Sequence, residues 1–285
     1  MSSFRLLVIC ITSILSYIKK FMNNLSLTPA ATVLLVRDCS NVLEVLMVKR
    51  SKRPPFGNLY VFPGGKIDKS DKDLNITNFC NGLNDEQASI KLGVDEGGLS
   101  YWVACVRECF EEVGILLAIK NNGEELDLNG ADKYKFDNYR RMLLENKISL
   151  FEICKKENLS LNLNNIEPFS HWITPEIEIK RFDTRFFIAY IPSKQTERHD
   201  GNELTDSVWI SPKKALDRSL NGEMPMIMPT ISNLQQCLEF DSGQKLLEHQ
   251  SKLTNDDIPS ILPKFFKNEG KWVGLLPGDE DYDNY

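Results

Sequence analysis

Histidine is nearly absent from this chain of 285 residues. There are three, His171, His199 and His249, and none has the spacing of a local metal-ligand pair. The seven cysteines are odd in number and form no C-x-x-C pair, which excludes a zinc ribbon and a disulfide framework and leaves reduced thiols of an intracellular protein. Basic excess is lacking too. A net charge of −6 and a pI near 5.3 exclude a general nucleic-acid binder, because neutralising phosphates needs a basic surface. No apolar run reaches the length of a membrane span, and there is no internal repeat. The longest such run, residues 6–18, is followed by Lys19 and Lys20 and has the size of a targeting core. Residues 1–21 are therefore expected to be a targeting segment outside the folded domain, with Met22 as an alternative start. Membrane association is expected, if anywhere, only through residues 6–18. The 42% hydrophobic content supplies an ordinary globular core, enough for one large domain or two modest ones.

What the chain does have is Arg107-Glu108-Cys109-Phe110-Glu111-Glu112-Val113-Gly114-Ile115. Apolar residues Trp102, Val103, Val106, Phe110 and Val113 recur at helical spacing, so residues 101–113 should form a helix that Gly114 stops. Its apolar face should pack on a sheet and its acidic face look outward. Positions i, i+3 and i+4 share one helix face, which brings Glu108, Glu111 and Glu112 together. Three carboxylates so close either stay solvated or hold a hard divalent ion such as Mg²⁺ or Mn²⁺.

Upstream, Tyr60-Val61-Phe62 is a short strand that breaks into Pro63-Gly64-Gly65, a turn whose glycines allow backbone to approach a ligand and a carbonyl to serve as one. Aliphatic runs at residues 31–36 and 42–48 form a hairpin. Strand character returns at 169–174, 185–191 and 207–210, and helices open at Pro212 and Pro229. Residues 119–165 make a polar, largely helical insert with Tyr139, Met142, Leu143, Leu144, Leu150, Phe151 and Ile153 as candidate buried positions. Interleaved strands and helices point to an α/β sandwich with a mixed sheet.

The glycine turn and the acidic helix together resemble the Nudix box, G-x5-E-x7-R-E-U-x-E-E-x-G-U, in which U is aliphatic. Its second half is matched at Arg107, Glu108, Glu111, Glu112, Gly114 and Ile115, with Cys109 as the loose position. Counted from Gly65, the box glutamate falls on Asp71, and Arg107 follows Gly65 by 42 residues where the pattern has 14, leaving 28 extra. Asp71, Asp68 and Glu96 are the acids available for the missing glutamate. A split box of this kind resembles the Nudix branch that includes a peroxisomal acyl-coenzyme A diphosphatase. The same branch resemblance extends to residues 29–33, 172–175, 181–187 and 276–279.

The resemblance implies an α/β/α sandwich over residues 22–285, with insertions at about 72–99 and 119–165 and further C-terminal helices. It implies a metal-dependent diphosphatase using Mg²⁺ or Mn²⁺, acting on coenzyme A or acyl-coenzyme A to give 3′,5′-ADP and (acyl-)phosphopantetheine, in a peroxisome or mitochondrion, with the cytoplasm as another option. Glu108, Glu111 and Glu112 are the expected metal ligands, Gly65 a further carbonyl ligand, and Arg107 the group that orients the cluster. The general base is Glu108 or Glu203; Glu176 and Glu178 lie in a loop that would border the site. Arg50, within the basic run 49–53, and Arg181 and Arg185 are candidate phosphate clamps. A small-molecule diphosphate is the expected partner. An ADP-ribose or nucleotide-sugar diphosphatase would use the same acids, and a non-catalytic binding protein would keep the sandwich.

Overall fold

The computed structural model describes residues 27–52, 57–192, 194–198 and 203–284. The segment expected at residues 1–21 and the start at Met22 lie outside the described residues, as do Arg53 and His199. The larger of two compact units comprises residues 29–171 and 184–260. The smaller gathers, among the described residues, 27–28, 172–183 and 261–284. Among the described residues no helix is long and apolar enough to cross a membrane.

The larger unit is built on a mixed sheet. Strands β1 (Thr28–Cys39) and β2 (Val42–Arg50) form the expected hairpin, extended by several residues. Their turn is Ser40-Asn41, both at positive φ, which is the two-residue geometry that follows strand twist. After β3 (Tyr60–Val61) comes β4 (Gly64–Lys66), then β5 (Cys80–Asn81), β6 (Ala118–Lys120), β7 (Leu159–Asn162), β8 (Ile166–Ile173), β9 (Phe182–Tyr190), β10 (Leu204–Ile210) and β11 (Ser260–Ile261). The main order is β10-β2-β1-β9-β8-β11, with β3 against β2 and β4 against β1. The backbone at Pro63-Gly64-Gly65, expected as a turn that approaches a ligand, also joins the sheet, pairing Ala31 with Gly65 and Thr32 with Gly64. A Cβ on Gly64 would sit 2.5 Å from the Ala31 carbonyl oxygen, so only glycine permits this docking.

Both faces of the sheet are covered, which is why β1 and β2 read as unbroken apolar runs instead of alternating ones. Ala31, Val33, Leu35, Leu46, Val48, Phe187 and Ala189 enter one core with Trp102 and the helix that carries it. The intervening residues Leu34, Val36, Val45, Met47 and Ile188 are equally buried on the opposite face. That face is approached by helices α5 (Pro212–Leu220), α6 (Met228–Cys237) and α7 (Gly243–Ser251). The Gly243 amide donates to Asp38 Oδ1 at 2.7 Å and fixes the start of α7 there.

The functional helix, α2 (Leu99–Val113), follows α1 (Asp85–Leu92) and precedes α3 (Lys133–Leu144) and α4 (Leu150–Glu157). Its acidic face does not look outward. Segments around β4 and Asp71 lie over it, leaving Glu112 only 6% exposed, and α1 and α3 pack beside it. The 119–165 region carries two helices as expected, but also strands β6 and β7, the latter pairing in parallel with β5 of the 72–99 region. Leu144 is 46% exposed, because the buried stripe of α3 runs through Phe136, Arg140 and Leu143. In the smaller unit a hairpin, β12 (Lys264–Asn268) and β13 (Lys271–Leu275), turns at Glu269-Gly270, both at positive φ.

Candidate active site

Nothing local caps the N-terminus of α2, since Gly98 has no side chain to offer. The Asp85 carboxylate does the work from 14 residues upstream: Oδ1 accepts from Leu99 N and Oδ2 from Gly97 N, both at 3.0 Å. At the other end Gly114 adopts a left-handed conformation at φ 71° and its amide donates to Phe110 O. Arg140 Nε donates to Glu111 O at 3.0 Å and Arg198 N to Val113 O at 2.7 Å, so the terminal carbonyls meet donors and the helix dipole meets positive charge. Trp102 locks the middle, its Nε1 donating to Ile166 O at 2.8 Å while its ring meets Phe187 edge-on.

On this fixed helix Arg107 is buried and fully engaged. Nε and Nη2 grip Asp71 at 2.8 and 2.9 Å, Nη2 also reaches Lys66 O, and Nη1 donates to Glu108 Oε1 at 2.9 Å and Glu111 Oε2 at 2.8 Å. Burial alone would lower the Arg107 pKa, but Asp71, Glu108 and Glu111 outweigh it and raise it. The Asp71 carboxyl is pushed up by burial against the pull of the same guanidinium. Of the three acids available for the missing box glutamate, Asp71 is the one that meets Arg107. Asp68 and Glu96 are exposed, and only the Asp68 amide touches the cluster, donating to Asp71 Oδ2 at 2.8 Å.

Glu108 and Glu112 lie one helical turn apart. Glu112 Oε2 accepts from Gly64 N at 3.0 Å, and Gly65 lies so near that a Cβ would overlap Glu108 Oε1. Burial pushes Glu108 up to about 7, with Arg107 opposing and Glu111 adding to the rise. Burial pushes Glu112 well above the carboxylate range, and Glu108 and Glu203 push it further, while the Gly64 amide and Arg50 pull it down. Glu111 is raised by burial and opposed by Arg107. Glu203, just before β10, binds Arg50 Nη2 at 2.6 Å. Both therefore act on the field at Glu112.

Among the described residues no group of three His, Cys, Asp or Glu is gathered as a metal cluster. Arg107 takes Glu111 and one oxygen of Glu108. What remains is a pair of buried carboxylates whose oxygens Glu108 Oε2 and Glu112 Oε1 face no hydrogen-bond donor among the described residues. Two carboxylates held this close, with little solvent around them, are the setting that a hard divalent cation relieves, so the donor set fits Mg²⁺ or Mn²⁺.

The model of the NUDT19 Nudix domain matches residues 96–237. This chain belongs to the Nudix hydrolases. Acyl-coenzyme A diphosphatase NUDT19 of Xenopus laevis is 27% identical over 270 residues, 84% of this chain and 71% of its own. Putative nudix hydrolase 7 of Caenorhabditis elegans is 25% identical over 257 residues, covering 89% and 74%. The crystal structure of a Nudix hydrolase from Alicyclobacillus acidocaldarius superposes with a TM-score of 0.65 at 24% identity, over 78% of this chain and 96% of that one, and shows the shared fold.

The matched region of this Nudix hydrolase begins after Gly65 and Asp71, yet the fold returns both to the helix. Arg107, Glu108, Glu111, Glu112, Gly65 and Asp71 form one cluster, with Arg50 and Glu203 beside it. Lys49, next to Arg50, lies over the Tyr60 ring at 5.5 Å. Arg185 is half-buried on β9 of the same sheet. Arg181 belongs to the smaller unit, where its Nε donates to Thr174 O, and Glu176 and Glu178 are exposed in the loop between them. Asp85 and Arg140 escaped sequence reasoning. Each acts across more than ten residues of irregular spacing, and no short motif links them to the helix ends they serve.

Proposed function

We propose that this Nudix hydrolase cleaves the diphosphate of coenzyme A or its acyl esters, releasing 3′,5′-ADP and phosphopantetheine or acyl-phosphopantetheine. The observation that carries diphosphate chemistry is the buried Glu108–Glu112 pair closed over by Gly64 and Gly65. The Xenopus laevis relative is an acyl-coenzyme A diphosphatase, and this supports the choice of substrate.

Glu108 and Glu112 would hold Mg²⁺ or Mn²⁺, with the Gly65 carbonyl as a further ligand. When bound, such ions neutralise the diphosphate oxygens and acidify water. Arg107 keeps Glu108 and Glu111 in place by hydrogen bonds and ties them to Asp71, so the acids need not reorganise when substrate arrives. Glu203 is the residue to take the proton of the attacking water, being more exposed than the helix acids and beside Glu112 in its electrostatic field. Arg50, already poised on Glu203, would exchange that partner for a substrate phosphate.

The deciding experiment measures phosphate-bond cleavage of coenzyme A, an acyl-coenzyme A, dephospho-coenzyme A, ADP-ribose and a nucleotide sugar with Mg²⁺, with Mn²⁺ and with chelator. Coenzyme A compounds should lead, with dephospho-coenzyme A poorer by roughly tenfold or more, the worth of one charge-assisted contact. A preference for ADP-ribose or the sugar nucleotide by about tenfold, or turnover that survives chelation, would sink this reading.

A further inference from the structure

Beside the Arg107–Asp71 pair lies a cavity of about 470 Å³, within the range of small-molecule sites. Its walls come largely from residues 72–99 and the start of α2. Ile67, Ile76, Val94, Leu99 and Tyr101 supply apolar surface. Its charged groups are Asp71, Asp73, Asp85 and Glu96 against Lys72 alone. Asp71 is neutralised by Arg107, Asp85 is spent on the α2 cap, and Asp73 accepts from the Asn75 amide and side chain. A phosphate entering here would meet net negative charge and no free guanidinium among these lining groups. An uncharged arm bearing amide N–H groups would meet apolar walls and carboxylate acceptors. The basic group beside the acids, Arg50, acts on Glu112, whereas the cavity opens beside Asp71. The site is therefore electrostatically lopsided.

From this polarity we infer that the cavity receives the uncharged pantetheine arm of the substrate, and that the phosphate-bearing nucleoside end lies on the Arg50 side. The inference rests on the coenzyme A reading and adds which end goes where. Shared membership of Asp71 in the Arg107 cluster and in the cavity wall places the arm next to the bond to be cut. Residues 72–99 thus become part of the specificity apparatus.

The test uses the full chain with Mg²⁺ and two filling variants: Val94→Phe in the wall and Thr77→Trp at the exposed lip, where folding is not at stake. The KM for acyl-coenzyme A should rise about tenfold, while the inhibition constant of 3′,5′-ADP, which lacks the arm, stays within about twofold. Glu96→Arg, which replaces a lining carboxylate by a guanidinium, should not tighten acyl-coenzyme A binding, since no phosphate is near it. An unmoved KM in both filling variants of an enzyme that does cleave coenzyme A compounds overturns the placement alone. So does an equal weakening of 3′,5′-ADP, or a tenfold fall in KM on Glu96→Arg, since either puts the phosphates in the cavity. A wild-type chain that cleaves no coenzyme A compound overturns the substrate reading and this inference together.

Discussion

The regions 72–99 and 119–165 grip opposite ends of α2 with opposite charges. The first puts a carboxylate, Asp85, on the positive N-terminus; the second puts a guanidinium, Arg140, on the negative C-terminus. They also meet each other, through the parallel β5–β7 pair and the edge-on contact of Phe79 with Phe151 at 5.5 Å. Their interiors differ. Around Arg140 the space is filled by aromatic contacts of Phe136 with Phe110 and Tyr139, whereas around Asp85 a cavity is left. A break in a motif along the chain is thus no break in the site. The 119–165 region packs tightly at the helix C-terminus, and the 72–99 region leaves a cavity beside the Arg107–Asp71 pair.

If both regions exist to hold the acids between them, the largest loss should come from the acids themselves. Glu112→Gln should lower kcat/KM by at least about 100-fold, roughly 2.7 kcal/mol, with the fold retained. Its thermal midpoint in chelator should not drop, because the amide oxygen still accepts from Gly64 N and no ionisable carboxyl has to stay buried. Turnover within about threefold of the wild type would show that the pair is not the reaction centre.

Next in size is the link between the 72–99 side and the helix. Asp71→Asn leaves Arg107 buried with half of its bidentate partner gone, and breaking a buried pair costs about 3–5 kcal/mol. Urea unfolding should show that loss, together with reduced activity as Glu108 and Glu111 lose their fixed donor. Equal stability of the variant would mean that Asp71 and Arg107 pair only loosely.

The site also predicts an unusual pH dependence. Glu108 stands at about 7 in the folded state against an ordinary 4.5, so the native chain holds more protons than the unfolded one between these values. The contribution of Glu108 to the stability of the metal-free protein then falls as pH rises from about 4.5 through 7, with Glu112 acting in the same direction. Mg²⁺ binds the ionised acids and should flatten the slope. Melting of the chelated wild type beside Glu108→Gln isolates this group: the wild type should lose stability relative to the variant over that interval, and a wild type that gains on it would contradict the buried pair.

Much of this was legible in residues alone. The helix over residues 101–113, its glycine stop and the convergence of Glu108, Glu111 and Glu112 follow from a 3.6-residue period, and the hairpin from two aliphatic runs around Ser40-Asn41. The burial of the acidic face was not legible. It depends on β4 docking against β1, which the sequence presents only as a glycine turn. Arg140 reads as one of several basic residues in a polar helix, and only the three-dimensional course of the chain carries it to Glu111.

The smallest effects are those that separate the two grips. Arg140→Met should cost about 2 kcal/mol, combining a lost charge-assisted hydrogen bond with disturbed packing beside Phe136. Asp85→Ala should cost about 1 kcal/mol, the ordinary worth of a helix cap, because Leu99 N and Gly97 N lose their acceptor but water can enter from the adjoining cavity. Asp85→Asn keeps one acceptor and should recover about half of that loss. Chemical denaturation of the three variants, with KM for acyl-coenzyme A measured alongside, gives the comparison. Arg140→Met should lower stability with little change in KM, whereas Asp85→Ala should raise KM, since it loosens a wall of the cavity. Were Asp85→Ala the costlier change in stability, with KM unmoved, the 72–99 region would be a structural brace like its counterpart, and the asymmetry between the two would vanish.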